Sequence, residues 1–424
     1  MAGISYRKRG NKWEYRFEAA KINGKRKQIT KGGFATKKEA SIAAAKAYDE
    51  YHNSGDVFSP TELSVSDYLD YWFDNYCKVN LEYNTQLAYF FVIENHLKPR
   101  FGMYKLKAIS SASIQEFAND LKMNGFAKTT ASGIISILKL ALDYAVEPLH
   151  YIASNPTVYV KMPKFEKSPY ERVILTNEEF DRIIARFPNT SRFYIPLMIG
   201  YYTGLRISEC FGLTWDNIDL EKRTITVCRQ SIKRNYGVDV RSALEKKGKK
   251  EEKSSWYLTD RLKTRTSNRT VKFGDTLYNA LVSEKNRQEE MEKLYDEHYI
   301  IHVLKPEKDE KGRVIYRIVP IQKCIESQYK RCMLVCIAEN GEYTSTDSFK
   351  YCSRVVHHEL HIAFDYHSLR HTHATKLIES GASVKAVSAR LGHKNIETTM
   401  NIYVHNTEQM EDETVEIFEN VTKK

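Results

Sequence analysis

Residues 155–172 read NPTVYVKMPKFEKSPYER, with three prolines, several lysines and no apolar periodicity. No helix or central strand runs through such a stretch, because proline has no N–H to donate and its φ is fixed. In a chain of 424 residues, too long for one ordinary core, this reads as a linker between separately packed domains. The two sides have different rhythms. Before it, residues 62–160 are helical throughout. SVSDYLDYWFDNYC places Val65, Tyr68, Leu69, Trp72 and Tyr76 at helical spacing, and three further segments repeat the pattern behind Ser, Thr or Asn starts. This predicts four helices in a compact bundle. After the linker, LTNEEFDRIIARF opens with a Thr176/Glu179 capping box and one apolar face of Phe180, Ile183, Ile184 and Phe187. A helical stretch ending in TGLRISECFGLTW follows. Then RTITVCRQ, SSWYLTDRLKT and NRTVKFG predict three strands of one small antiparallel sheet. The charge run at 241–255 reads as a solvated loop, and 285–330 as an insertion without visible chemistry. Beyond 350 the pattern is mainly helical.

Ahead of the bundle, ISYRKRGNKWEYRFE alternates apolar and polar residues around a Gly-Asn turn and predicts a β-hairpin. KRKQITKGGF adds a third strand, and an Ala-rich helix opens at the Thr36/Glu39 capping box. Residues 1–50 hold 13 Lys/Arg against 5 Asp/Glu, so +8 of the chain's net +11 sits in this small region. Such an excess suits an anionic partner, above all nucleic acid. Lys and Arg interleaved with Trp13, Tyr15 and Phe17 predict a DNA-contacting sheet, with Arg7, Lys8, Arg9, Lys12, Arg16, Lys25 and Lys27 as the candidate contacts. The resulting organisation is a multidomain α+β chain. It has a sheet-plus-helix domain at 1–57, an all-α domain at 58–160, a linker at 161–172 and a mixed α/β domain at 173–424.

The seven cysteines are scattered and form no CxxC pair, which suits reduced thiols in a cytosol better than a zinc knuckle or a disulfide framework. The N-terminus lacks a signal-peptide pattern, and no run of about 18 apolar residues occurs that could span a bilayer, so no membrane role is expected.

HSLRHTHATK (367–376) gathers three histidines and an arginine. His367 and His371 share a helical face, which raises zinc. A metalloprotease pair needs Glu after the first His, and Ser368 stands there; His373 lies about 240° around the helix from His367. A phosphate site fits better, since His367 and Arg370, three apart, can present an imidazole and a planar guanidinium fork to one anion. Its company strengthens this reading. TGLRISE carries Arg206, DRLKTRTSNRTVKF carries Lys263, and RLGHKNIETTMNIYVH carries His393 at a helix–turn junction and Tyr403 ten residues later.

Arg206, Lys263, His367-x-x-Arg370, His393 and Tyr403, in this order and within these words, resemble the tyrosine recombinases, the integrase family of phages and conjugative elements. The resemblance covers about 170–410. The order of an arm-binding, a helical core-binding and a catalytic domain is also similar to that of the family's longer members. It implies that Tyr403 attacks the scissile phosphate to give a 3′-phosphotyrosine and a free 5′-hydroxyl. Arg206 and Arg370 would clamp the non-bridging oxygens, Lys263 would protonate the leaving 5′-oxygen, His367 would assist proton transfer from the tyrosine, and His393 would hydrogen-bond the phosphate. No cofactor or metal is implied, because the covalent link stores the phosphodiester energy and the cations stand where a nuclease would hold a metal. The implied partners are double-stranded DNA at core and arm sites, and a homotetramer on that DNA, in a bacterial cytosol or nucleoid. An accessory bending protein or directionality factor is a further possible partner. The tail, with Met410, Val415, Phe418 and Val421 near helical spacing, would dock on a neighbouring subunit. The implied function is integration and excision of a mobile element. The alternatives are a topoisomerase of the same chemistry and a DNA-binding regulator on a retired scaffold.

Overall fold

The computed structural model describes residues 3–22, 25–52, 63–166, 173–235, 254–260 and 268–393, with 395–397, 400, 418–419 and 422 beyond. The chain divides into two compact units near residue 170, and each is taken by itself.

In the first unit, β1 (Ile4–Arg9), β2 (Lys12–Ile22) and β3 (Lys25–Phe34) form an antiparallel sheet in that order, crossed by α1 (Lys37–His52). Gly10 takes φ +62° at the hairpin turn, a left-handed conformation that glycine adopts without steric cost. The capping box starts α1 as expected, with Glu39 N–H donating to Thr36 Oγ1 (3.1 Å) and Thr36 N–H to Glu39 Oε2 (3.4 Å). Ala40 and Ala44 are fully buried, so the helix backbone lies close on the sheet. It lies on the face that carries Tyr15 and Phe17, both 2% exposed. These two rings form the small core under α1, with Ile4, Tyr6, Ala19, Ile29 and Phe34 of the sheet packed around them.

The all-α part consists of α2 (65–80), α3 (83–101), α4 (Ser111–Met123) and α5 (Lys128–Val146). The first two each pass through a wide π-turn, Phe73–Cys77 and Ile93–Leu97. Ser64 caps α2 by accepting from Asp67 N–H (3.0 Å), and Ser110 with Ser113 forms a capping box on α4. Val65, Tyr68, Leu69 and Trp72 point inward, as their spacing predicts, against Ile134, Leu138 and Ala141 of α5. Helix α5 is long and apolar enough to cross a membrane by length and composition, and Ile134, Ile135, Ile137, Leu138 and Leu142 on it line this core while Leu140 is exposed.

The second unit holds α6 (Asn177–Arg186), α7 (Tyr194–Thr203), α8 (Ile207–Cys210), strands β4 (Ile218–Asp219), β5 (Thr224–Val227), β6 (Gln230–Asn235), β7 (Ser254–Thr259) and β8 (Arg269–Lys272), and α9 (Asp275–Tyr295). Then come β9 (Ile300–Lys308), β10 (Val314–Gln322), β11 (Arg331–Cys332), α10 (Thr346–Glu359), α11 (Tyr366–Glu379) and α12 (Val384–Leu391). The strands predicted as one sheet belong to two. β4, β5 and β8 form one, while β7 joins a five-stranded sheet ordered β11-β9-β10-β7-β6. The segment read as an insertion explains the split. Its hairpin β9–β10 gives β7 a second neighbour, so Leu258 buries against Tyr299, Ile318 and Leu334 instead of facing β5.

His302 of β9 sits in this sheet 4% exposed, its ring 6.3 Å from that of Tyr343. Burial pushes its pKa down to about 4 from an ordinary 6.5. An unfolded chain therefore binds a proton here below pH 6.5 while the folded chain does not until about pH 4. Stability from this group is full above 6.5 and falls as acid approaches 4. Replacing His302 with Phe should flatten the acid slope of stability in that window by about 1.4 kcal/mol per pH unit, read by urea unfolding across the pH range. An unchanged slope would assign the acid sensitivity elsewhere.

Candidate strand-transfer site

Three turns of the second unit meet. The first follows α7, where Gly204 takes φ +66° and lets the chain double back into α8 at Arg206. A Cβ on Gly204 would lie 2.7 Å from Leu391 Cδ2 and 2.9 Å from His373 Cδ2, so both conformation and space demand glycine. Gly204→Ala should cost about 2–4 kcal/mol from left-handed strain plus overpacking, seen as a lower urea midpoint. A loss no larger than a few tenths would mean that α12 yields freely.

The second turn begins α11. Asp365 Oδ1 accepts from Ser368 N–H (2.8 Å), and Ser368 Oγ accepts in return from Asp365 N–H (3.1 Å). Ser368, the residue that spoils a metalloprotease reading, is thus the capping partner that sets where the helix starts. This places Arg370 inward at 2% exposure and His367 at the solvent edge, its ring 5.6 Å from that of His371. Among the described residues no group of three His, Cys, Asp or Glu side chains is close enough to hold a metal ion.

The third turn ends α12. Gly392 takes φ +68°, its N–H reaches Ala389 O, and His393 N–H reaches Ser388 O (3.1 Å), a Schellman stop. Carbonyls from this turn and from Gly204 hold the two arginines. Arg370 Nη1 donates to Gly204 O and Nη2 to Leu391 O, both at 2.7 Å. Arg206 Nη2 donates to Gly392 O (3.1 Å), while its Nη1 and backbone N–H reach Glu209 at 2.7 and 2.9 Å.

Glu209, 2% exposed, also receives a fork from Arg269 of β8, at 3.2 and 2.9 Å, and Arg269 Nε donates to Arg390 O (2.6 Å). Burial alone would raise the Glu209 pKa, but the hydrogen bonds and charges of Arg269 and Arg206 outweigh it and hold the carboxyl below its ordinary range. Arg269 was not among the residues singled out from the sequence. One signal was available: alternation in NRTVKFG puts Arg269 on the face of Val271 and Phe273, and a guanidinium on an apolar strand face needs a buried acid.

The cations lower the nearby imidazoles. Burial, then the charges of Arg370, Arg206 and Arg269 and the neighbouring His371, push His393 down to about 4. Partial burial, Arg370 and Arg206 also lower His367, against the opposing charge of Asp365. Both rings are therefore neutral near pH 7, and His367 can accept a proton there.

Of the six residues predicted for the site, Arg206, His367, Arg370 and His393 come together; Lys263 and Tyr403 lie outside the described residues. Of the proposed DNA contacts, all seven are exposed but they are divided. The β1–β2 register pairs Arg7 with Glu14, Arg9 with Lys12 and Ser5 with Arg16 on the open face, whereas Lys8 pairs with Trp13 on the helix side. In the β2–β3 register Lys27 stands opposite Ala19 and Lys25 opposite Ile22, beyond an irregularity in the pairing.

The sequence pattern of the phage integrase family matches residues 174–410, over half of the chain. The chain belongs to the phage integrase family. An arm DNA-binding domain matches 5–50 and the N-terminal SAM-like domain of phage integrases matches 64–122. The integrase is 27% identical over 378 residues to a XerC-like tyrosine recombinase of Caldanaerobacter subterraneus subsp. tengcongensis, covering 87% of this chain and 86% of the relative. It is 24% identical over 381 residues to the ICEBs1 integrase of Bacillus subtilis, covering 88% and 86%. Its fold is shared with the Tn1549 transposon integrase, solved in complex with a circular intermediate DNA, at a TM-score of 0.62 and 20% identity over 84% of this chain and 99% of that one. The integrase is thus a tyrosine site-specific recombinase, an enzyme that cuts and rejoins DNA.

Proposed function

We propose that this recombinase integrates and excises a mobile genetic element, and that the four convergent side chains are its phosphate-handling machinery. The observation that carries the reading is the pair of guanidiniums fixed on main-chain carbonyls beside two neutral imidazoles. Tyr403 O forms a bond to the scissile phosphorus as the bond from phosphorus to the 5′-oxygen breaks. The phenolic proton passes to His367, and Lys263 supplies a proton to the 5′-oxygen. Arg206 and Arg370 meet the charge that grows on the non-bridging oxygens, already oriented and at no reorganisation cost. His393 donates a hydrogen bond to the same phosphate. One phosphodiester is exchanged for another, so rejoining needs no nucleotide.

The likeness to integrases of an integrative element and of a transposon supports the mobile-element role. On this reading 1–57 binds arm sites through the open sheet face, with Arg7, Arg9, Lys12 and Arg16 foremost and Lys8, Lys25 and Lys27 at its margins. Residues 58–160 bind core DNA, 161–172 link, and 173–424 catalyse, in a tetramer coupled by the tail, in a bacterial cytosol. Incubation with a nicked half-site from the element's ends should give a denaturation-resistant protein–DNA adduct. No adduct on any flanking site would favour a binding-only regulator, and relaxation of plasmids lacking the site would favour a topoisomerase.

A further inference from the structure

Arg390, in the last turn of α12, does not face the site, yet it is bonded more specifically than a surface arginine. Its Nε donates to His373 Nε2 (2.9 Å) and its Nη2 to Tyr202 O (3.1 Å). His373 Nδ1 lies 2.8 Å from Tyr201 O. A carbonyl only accepts, so Nδ1 carries the proton; a guanidinium only donates, so Nε2 carries none. One neutral tautomer satisfies both ends. The chain of bonds runs from the last turn of α7, through His373 of α11, to Arg390 of α12. The residues next to Arg390 are Leu391 and Gly392, whose carbonyls orient Arg370 and Arg206.

We propose that His373 and Arg390 are positioning residues for strand transfer: a relay that fixes the 391–392 turn against α7 and so aims both guanidiniums at the scissile phosphate. The proposal rests on the recombination reading for its chemistry and on the relay geometry for its residues. A second proton on His373 would set its Nε2–H against the Arg390 Nε–H, two donors with no acceptor between them. The charged and polar groups around the ring are Arg390 from α12, Arg370 one turn back on α11 and the Tyr201 carbonyl from α7. Burial and the two arginines lower the His373 pKa to about 4, so the required neutral form is the resident one at neutral pH.

The test uses the full-length protein and a nicked half-site duplex under single-turnover conditions. His373→Leu and Arg390→Met should each slow adduct formation by about a hundredfold, the scale of a small misplacement of catalytic groups, with half-site affinity unchanged. The double variant should be no slower than the slower single, because both break one relay. His373→Gln should restore the rate, since its amide offers an N–H to Tyr201 and an oxygen to Arg390. If the Leu variant melts below the assay temperature, Arg390→Lys serves instead: one ammonium cannot span His373 and the Tyr202 carbonyl, so it should be slow. Independently of activity, nitrogen NMR of the ring should report the Nδ1–H tautomer at neutral pH. Natural rates in the Leu variant, a Gln variant as slow as Leu, or an Nε2–H tautomer would overturn the relay. A natural chain that shows the Nδ1–H tautomer but yields no adduct would leave the relay standing and count against recombination.

Discussion

Tyr403→Phe is expected to bind half-site DNA as tightly as the natural chain and to form no covalent adduct with it. The substitution removes one oxygen and nothing else, so shape and stacking are kept while the attacking atom is lost. A replacement nucleophile would have to stand in line with the leaving 5′-oxygen. The expected fall in cleavage rate is at least about 10⁴-fold, comparable to the loss of an enzymatic nucleophile elsewhere. Denaturing electrophoresis of labelled half-site reads the adduct, and peptide mass spectrometry of the natural chain should place the nucleotide on residue 403. An adduct that persists in the Phe variant, or maps to another tyrosine, would remove Tyr403 from the mechanism.

Arg370→Ala should be the most damaging change among the described residues. Two losses coincide. The non-bridging oxygens lose a fixed cation, worth about 10³ to 10⁵ in rate at phosphoryl-transfer centres. The carbonyls of Gly204 and Leu391 lose the donor that ties α12 to the turn after α7, and each orphaned buried acceptor costs about 1–3 kcal/mol. Arg370→Lys tells the two apart. It restores a positive charge but gives a compact point donor, which cannot bridge carbonyls on opposite sides as the planar fork does. Adduct rates and thermal unfolding measured on both variants should show Lys recovering little of either. A Lys variant with natural stability and rate would mean that charge alone matters and that the bridging is incidental.

Much of this was legible in the sequence, for physical reasons. Helices announce themselves by local rules, so the capping boxes at Thr36 and Thr176 and the inward stripe of Val65, Tyr68, Leu69 and Trp72 stand where their spacing puts them. Arg206, His367, Arg370 and His393, which the structure brings together, were legible as candidates because a reaction at one phosphate demands particular side chains in particular words. Strand partnership was not, because pairing depends on which distant segment arrives. Nothing within SSWYLT says that its neighbour will be YRIVP from sixty residues later and not TITV. The face of β2 that α1 covers was not legible either, because alternation tells which residues share a face but not which face a helix will cover. Arg269 and the His373–Arg390 bond were missed because a buried ion pair or relay is a statement about two positions, and one position at a time looks like any other basic residue.

The arginines rest on the main-chain oxygens of residues 204, 391 and 392, an atom type that every amino acid supplies alike. The grip on these two guanidiniums is therefore indifferent to side-chain chemistry at 391 within the limits of volume, whereas 204 and 392 need glycine for their left-handed backbone. Mutational tolerance at 391 would read as unimportance, while a shift of the peptide plane, from a change made elsewhere, would re-aim both guanidiniums.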